Sequence, residues 1–184
     1  MKRTHILRNA LVLAVAAGLS ALGRRDRPTD VPGLQAAAAV GQGRLMYRYS
    51  EAFAAHDLVV GQVLLSKGVL ADREQYLHAR EALQRMLDLG IVPIVNENDT
   101  VATDEIRFGD NDRLAARVAQ MIQAEHLVIL TSVDGLYDRN PDDGEATLIT
   151  ELEDVSQYLE VTTGTNSLGS GGMYTKMQAA NMAQ

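Results

Sequence analysis

The amino-acid sequence predicts an α/β fold: an open, mostly parallel sheet between two helical layers, forming a three-layer α/β/α arrangement. Two observations support this prediction. Short apolar runs alternate along the chain with longer segments of helical periodicity, and polar or glycine-rich stretches follow the apolar runs. The apolar runs are also uninterrupted, which is typical of parallel strands because both of their faces are buried.

Length and composition restrict the class of protein. The 184 residues correspond to one ordinary domain, and 24 acidic against 17 basic residues give a formal charge of -7. We therefore expect no broad attraction to nucleic acid or to an anionic membrane. The chain contains no cysteine, which excludes disulfides and thiol catalysis, and its four histidines lack the spacing of zinc ligands.

The first 22 residues allow two interpretations. Met1, Lys2 and Arg3 precede an apolar run over residues 10–22, as in a secretory signal. No polar region leading to a clear cleavage site follows that run, and the run is too short to span a membrane comfortably. These residues alone therefore leave both a leader and a folded segment open.

The next segments predict a loop and a long helix. Residues 24–33 contain two prolines and several polar side chains, which indicate a loop. Apolar residues then recur at helical spacing from residue 34 to about residue 56. Gly41 and Gly43 interrupt this pattern, and we expect another backbone to approach the helix closely there.

A strand and a capped helix follow. Residues 58–65 predict a buried strand, and Asp72 has the features of a helix N-cap with Gln75 three residues later. Gly90 stands where a left-handed cap ends the helix. The predicted buried stripe consists of Tyr76, Ala79, Leu83, Met86 and Leu87.

Two further strands and a helix complete the alternation, with strands at residues 91–95 and 127–130 and a helix at residues 112–124. Ligands of open parallel sheets bind beyond the carboxyl ends of the strands. That rule selects three candidate segments for a site, which are residues 96–99, 131–137 and 164–176.

The glycine-rich residues 169–176 are a candidate phosphate-binding loop. Small residues precede a predicted helix, where backbone N–H groups can reach a phosphate, and Lys176 would lie in the first helical turn. The spacing is not that of a Walker A loop. A flexible loop followed by a surface lysine remains the alternative.

Asparagine and aspartate side chains form a second candidate site, at residues 96–99 and 110–112. Amides and carboxylates can together bind the ammonium and carboxylate groups of an amino acid, and carboxylates can also bind magnesium. Helix capping is the competing interpretation, above all for Asp112, which would begin an apolar-periodic helix.

Five segments of the sequence form an ordered set. They are AAAAVGQGRLM at 36–46, VNENDTVAT at 95–103, FGDND at 108–112, LTSVDGLY at 130–137 and GSGGMYTKMQAA at 169–180. In this order and spacing they resemble glutamate 5-kinases, members of the amino acid kinase family. The resemblance covers nearly everything from about residue 18 to the last residue.

The resemblance implies the amino acid kinase fold and an ATP-dependent phosphorylation of the side-chain carboxylate of L-glutamate. The product would be glutamyl 5-phosphate, formed in the first step of proline biosynthesis. ATP and Mg²⁺ would be the cofactors, the location cytoplasmic, and the assembly a homo-oligomer.

The resemblance also implies roles for individual residues. Lys176 would be catalytic by offsetting the charge on the transferred group, and Asp112 would organise the catalytic lysines. No residue is assigned to a metal. L-glutamate would contact Asn96, Asp99, Asp110 and Asn111. The nucleotide would contact Thr131 and Ser132, and its phosphates would be wrapped by Ser170, Gly171, Gly172, Met173, Tyr174, Thr175 and Lys176.

The beginning of the chain departs from the family pattern. Residues 1–13 are atypical, and Val12 and Leu13 stand where the family has a serine and a glycine. Residues 14–184 then correspond to a partial amino acid kinase domain, incomplete at both ends and without the family's first lysine. We therefore expect no measurable glutamate phosphorylation by this chain alone.

Two other functions remain open on the sequence. One is a kinase of another amino acid, such as acetylglutamate or aspartate, against which the segments at 95–103 and 108–112 argue. The other is a non-catalytic module that binds glutamate or a nucleotide. Binding without turnover would support that module.

Overall fold

The structure is a computed structural model that describes residues 5–7, 10–101, 111–139, 144–159 and 172–184. It divides into two compact units. The middle unit is Asn9–Ile106, and the split unit combines Met1–Arg8 with Arg107–Gln184. Among the described helices, none is both long enough and apolar enough to cross a membrane.

The described residues contain helices and parallel strand pairs, so the α/β prediction is confirmed. Two of the three strand pairs are parallel, and the third is antiparallel. In chain order the elements are β1 (His5–Leu7), α1 (Ala10–Ala21), α2 (Val31–Ala54), β2 (Val60–Leu65), α3 (Lys67–Ala71), α4 (Arg73–Asp88), β3 (Val92–Glu97), a 3₁₀ turn (Asp99–Val101), α5 (Asn111–Met121), β4 (Leu127–Ile129), β5 (Leu136–Tyr137), β6 (Leu148–Ile149), α6 (Ser156–Leu159) and α7 (Met173–Ala183).

In the middle unit, helices α1 and α2 pack backbone against backbone. A Cβ atom added to Gly41 would lie 1.6 Å from the carbonyl oxygen of Ala14, and one added to Gly18 would lie 1.8 Å from that of Ala37. The close approach predicted at Gly41 is therefore confirmed. The same prediction at Gly43 is wrong, since that glycine has open space around it.

The apolar run at residues 10–22 forms the packed helix α1, with Ala14 and Val15 buried. Val12 and Leu13 consequently lie inside a helix. The division of the chain at residues 13 and 14 stays a prediction.

Helix α2 begins at Val31, three residues earlier than predicted, because Asp30 caps it. The Gly33 N–H donates to Oδ1 of Asp30 over 2.7 Å. The predicted loop at residues 24–33 is correspondingly shorter. An aspartate one residue before a valine-proline pair was the local signal for this earlier start.

The cap signals of α4 were interpreted correctly. The Gln75 N–H donates to Oδ1 of Asp72 over 2.9 Å, and Gly90 has a φ of 77° just after the helix. Along α4 the side chains that are not exposed are those of the predicted stripe, with Leu83 buried and the others half-buried.

Strands β2 and β3 pair in parallel, and β3 continues past its predicted end at residue 95. Leu64 and Leu65 face Asn96 and Glu97 in the pairing register. The prediction that β2 is buried on both faces is wrong, because Leu64 is exposed while Leu65 is buried.

In the split unit, β1 pairs in parallel with β4, and β5 pairs antiparallel with β6. Helix α7 packs against α5 and also contacts β4. The buried side chains of these two helices include Ala115, Ala116, Met121, Met177 and Ala179.

Candidate functional site

An ion pair joins two predicted site residues of the split unit. Nζ of Lys176 lies 3.0 Å from Oδ2 of Asp112, and both side chains are largely shielded from water, with 19% and 15% of their surfaces exposed. Lys176 lies in the first turn of α7, and Asp112 in the first turn of α5. The packing of the two helices thus brings together residues 64 positions apart in the chain.

Thr175 also contacts this carboxylate. Its hydroxyl Oγ1 lies 2.9 Å from Oδ2 of Asp112 and equally far from the carbonyl oxygen of Gly172, so its single proton can be donated to either. Oδ2 of Asp112 therefore accepts from α7, which argues against helix capping as that oxygen's role. Asp112 holds the first turn of α7 in place.

Side-chain contacts further along the two helices fix their register. Gln178 accepts from the guanidinium of Arg113, with a distance of 3.0 Å from Nε, and the amide of Gln120 donates to the carbonyl oxygen of Met182. These contacts hold α7 at two places beyond the ion pair. The position of Lys176 is therefore set by the whole interface.

The N-terminus of α7 can accept an anion. Gly172 is the N-cap residue and has no side chain to accept from the first backbone N–H groups. Those groups carry the positive end of the helix dipole, and Lys176 lies in the same first turn with its ammonium paired to Asp112. This helix start contains Gly172, Met173, Tyr174 and Lys176, whereas Ser170 and Gly171 lie outside the described residues.

The other predicted nucleotide contacts lie in the same unit. Thr131 and Ser132 are exposed in the loop that follows β4, and α7 contacts that strand. Asn111 is the first residue of α5, directly before Asp112. Asp110 lies outside the residues that the structure describes.

A polar cluster of the middle unit contains the predicted substrate residues Asn96 and Asp99. Asn96 is 1% exposed, and its Nδ2 donates to Oε1 of Gln42 over 3.0 Å. Asn96 lies inside β3 and not after it, which corrects the expected position. Gln42 belongs to α2, so this bond joins residues 54 positions apart.

Two buried atoms in this cluster lack a hydrogen-bond partner among the described residues. They are Nε2 of Gln42, a donor, and Oδ1 of Asp99, an acceptor. Asp99 is 8% exposed. Burial, and to a smaller extent the negative charge of Glu97, raises the pKa of Asp99 to about 7.

Gln42 and the second contact of Thr175 were not recognised from the sequence. A signal for Gln42 was present, because it lies between Gly41 and Gly43 in one of the segments that resemble the family. Thr175 was assigned to the phosphates, and its bond to Asp112 depends on how α5 and α7 pack.

The described residues include no group of three or more histidine, cysteine, aspartate or glutamate side chains that could hold a metal ion.

This chain is similar to known proteins over most of its length. The model of the Amino acid kinase family matches residues 4–184. A protein of Thermobifida fusca named Glutamate 5-kinase is 51% identical over 173 residues, covering 92% of this chain and 45% of the relative. Proteins of the same name from Gloeobacter violaceus and Myxococcus xanthus are 52% and 49% identical, with coverage of 92% of this chain and 47% and 46% of their own. The chain spans less than half the length of these curated relatives.

Proposed function

Because the chain belongs to the amino acid kinase family, we propose that it forms part of a kinase that transfers the γ-phosphoryl group of ATP to the side-chain carboxylate of L-glutamate. The observation that carries this proposal is the Lys176–Asp112 pair at the uncapped start of α7. A lysine held there by an aspartate is suited to stabilising charge on a transferred phosphoryl group.

The reaction needs positioning and charge stabilisation more than proton transfer. An oxygen of the glutamate side-chain carboxylate attacks the γ-phosphorus, the bond from that phosphorus to the β,γ-bridging oxygen breaks, and ADP leaves with the bonding electrons. Glutamyl 5-phosphate is the other product. Lys176 would offset the negative charge on the transferring group, and Asp112 would keep its ammonium aimed at that group.

The nucleotide would occupy the split unit. Thr131 and Ser132 would contact it from the loop after β4, while Ser170, Gly171 and the first residues of α7 would wrap its phosphates. Backbone N–H groups of Met173 and Tyr174, unopposed by a side-chain cap, support this assignment. The hydroxyl of Thr175 would contact either Asp112 or the phosphates. Mg²⁺, bound through the phosphates, would supply additional charge neutralisation.

L-glutamate would be bound by Asn96, Asp99, Asp110 and Asn111. Oδ1 of Asp99, which has no hydrogen-bond partner among the described residues, supports this part of the proposal, because a substrate ammonium group would place a cation beside the buried carboxylate. Asn96 would contribute amide contacts from the end of β3. The proposal also includes the first step of proline biosynthesis, a cytoplasmic location and assembly of identical chains.

Calorimetric titration of the chain with L-glutamate and with ATP tests the proposal. We expect both to bind, and Lys176→Met to weaken ATP binding about tenfold while leaving L-glutamate binding within about twofold. Glutamate-dependent ADP formation, with hydroxylamine trapping the acyl phosphate, then distinguishes a kinase from a binding module.

Aspartate and N-acetylglutamate serve as competing ligands. Tighter binding of either ligand than of L-glutamate would contradict the proposed substrate. An ATP affinity that is unchanged in Lys176→Met would contradict the proposed phosphate site. Turnover that depends on Lys176 would contradict the sequence-based expectation that this chain alone is inactive.

A further inference from the structure

Resting on the proposed function, we propose that Gln42 is a further substrate-binding residue, whose Nε2 donates a hydrogen bond to the α-carboxylate of the amino-acid substrate. The starting point is an unmet buried donor. Nε2 of Gln42 is shielded from solvent and has no partner among the described residues. Leaving such a donor unpaired is costly, so its position calls for a ligand group.

The orientation of the Gln42 amide is set by the hydrogen bond at its oxygen, Oε1. Oε1 accepts from Nδ2 of Asn96 over 3.0 Å, and Asn96 itself is 1% exposed. The amide plane is therefore held by a buried neighbour, and Nε2 is left as the end that can serve a ligand. An amide fixed in this way binds without losing much side-chain freedom.

The backbone of Gln42 is also rigidly placed. The preceding residue, Gly41, lies against the carbonyl oxygen of Ala14 at the crossing of α1 and α2. Helix α2 also contacts the 3₁₀ turn that contains Asp99. The scaffold of the middle unit thus fixes where the amide can reach.

The two unmet atoms of the cluster are complementary in kind. Nε2 of Gln42 is a donor and Oδ1 of Asp99 an acceptor. An amino acid carries one group for each, because its carboxylate accepts hydrogen bonds and its ammonium donates them. This chemistry distinguishes an amino acid from a simple dicarboxylate, which would leave Asp99 facing a second negative charge.

The test compares L-glutamate binding in the whole chain and in three variants by calorimetry. Gln42→Glu keeps an acceptor for Asn96 but removes the donor, and Gln42→Met removes both without adding charge. Gln75→Glu is the matched control, since Gln75 is exposed on α4 and undergoes the same chemical change. We expect both Gln42 variants to bind L-glutamate about tenfold or more weakly, and the control to bind as the unchanged chain does.

A second readout observes the amide itself. In ¹⁵N-labelled protein, the side-chain NH₂ signals of Gln42 are identified by their loss in Gln42→Glu. We expect these signals to move during titration with L-glutamate. Because this measurement uses the unchanged chain, a folding defect of a variant does not affect it.

The outcomes separate this inference from the proposed function. If L-glutamate binds, the Gln42 signals do not move and the Gln42 variants bind L-glutamate as tightly as the unchanged chain, the inference is overturned and the proposed substrate stands. If the folded, unchanged chain does not bind L-glutamate, the proposed substrate is overturned and the inference falls with it.

Discussion

Asp99 in the middle unit and Asp112 in the split unit are both shielded from solvent, yet their surroundings differ. Asp112 has a lysine ammonium at 3.0 Å and a threonine hydroxyl at 2.9 Å from the same oxygen. Asp99 has one oxygen without a described partner and a second carboxylate, that of Glu97, nearby. Burial, and to a smaller extent the charge of Glu97, raises the pKa of Asp99 to about 7, whereas Asp112 is held beside a lysine cation.

The difference indicates a division of tasks. Asp112 has its cation within the protein, and this suits a residue that holds Lys176 in place. Asp99 has no hydrogen-bond partner for Oδ1 among the described residues, so we expect its charge to depend on a ligand. The following predictions test this contrast.

The largest effect is expected from Gly41→Ala, which disrupts the contact between α1 and α2 in the middle unit. The added methyl carbon would lie 1.6 Å from the Ala14 carbonyl oxygen, so α1 and α2 must separate. We expect a loss of about 4–5 kcal/mol in the free energy of unfolding, measured by urea denaturation.

Gly43→Ala is the control on the same helix. Gly43 has open space where a side chain would stand, so we expect a gain of about 1 kcal/mol from improved helix propensity. Equal losses in the two variants would show that the close approach does not determine stability.

Asp99→Asn tests the unpaired acid. The pKa of Asp99 is raised to about 7, so between about pH 4 and pH 7 the folded chain holds a proton that the unfolded chain has released. Stability should therefore fall as pH rises through this window, by roughly 4 kcal/mol at most, and then level off. Asp99→Asn should remove that fall and be the more stable protein at pH 8.

Urea denaturation at several pH values measures this dependence, with and without L-glutamate. Bound L-glutamate should weaken the fall in the unchanged chain, because its ammonium stabilises the charged carboxylate. The same pH profile in Asp99→Asn and in the unchanged chain would contradict the prediction.

Lys176→Met would make Asp112 resemble Asp99, since it removes the cation from a shielded carboxylate. We expect a loss of about 3 kcal/mol in the free energy of unfolding at pH 7. Adding Asp112→Asn should recover part of this loss, because no unpaired charge then remains. Urea denaturation of both variants measures the recovery. A further loss of unfolding free energy in the double variant would contradict the proposed stabilisation by the Lys176–Asp112 ion pair.

The smallest effect is expected at Thr175. Thr175→Val keeps the shape but removes the hydroxyl that contacts Asp112, which should cost about 1 kcal/mol in unfolding free energy. Thr175→Ser keeps the hydroxyl and should retain most of the ATP affinity that Thr175→Val loses. Thermal unfolding and calorimetry compare the two, and identical behaviour would remove Thr175 from the site.

Features encoded by neighbouring residues could be predicted from the sequence. The Asp72 cap, the end of α4 at Gly90 and the close approach at Gly41 each depend on a residue type at one position. The small residues before Lys176 likewise predicted a helix with that lysine in its first turn, as α7 has it. The family resemblance added the candidate residues of the site.

Features that depend on distant partners could not be predicted in this way. The Gln42–Asn96 bond spans 54 positions, and the Thr175–Asp112 bond spans 63. Their existence depends on how α2 meets β3 and how α5 meets α7. The raised pKa of Asp99 likewise follows from burial, which no local pattern of residues displays.

The crossing of α1 and α2 has a consequence for sequence variation. At Gly18 and Gly41 the main chains of the two helices contact each other. The interhelical distance is therefore set by backbone atoms, which no substitution can make smaller. A saturation mutagenesis library selected for folding should therefore retain a single amino acid at each of these two positions. Residue 43, two steps along the same helix, should accept many.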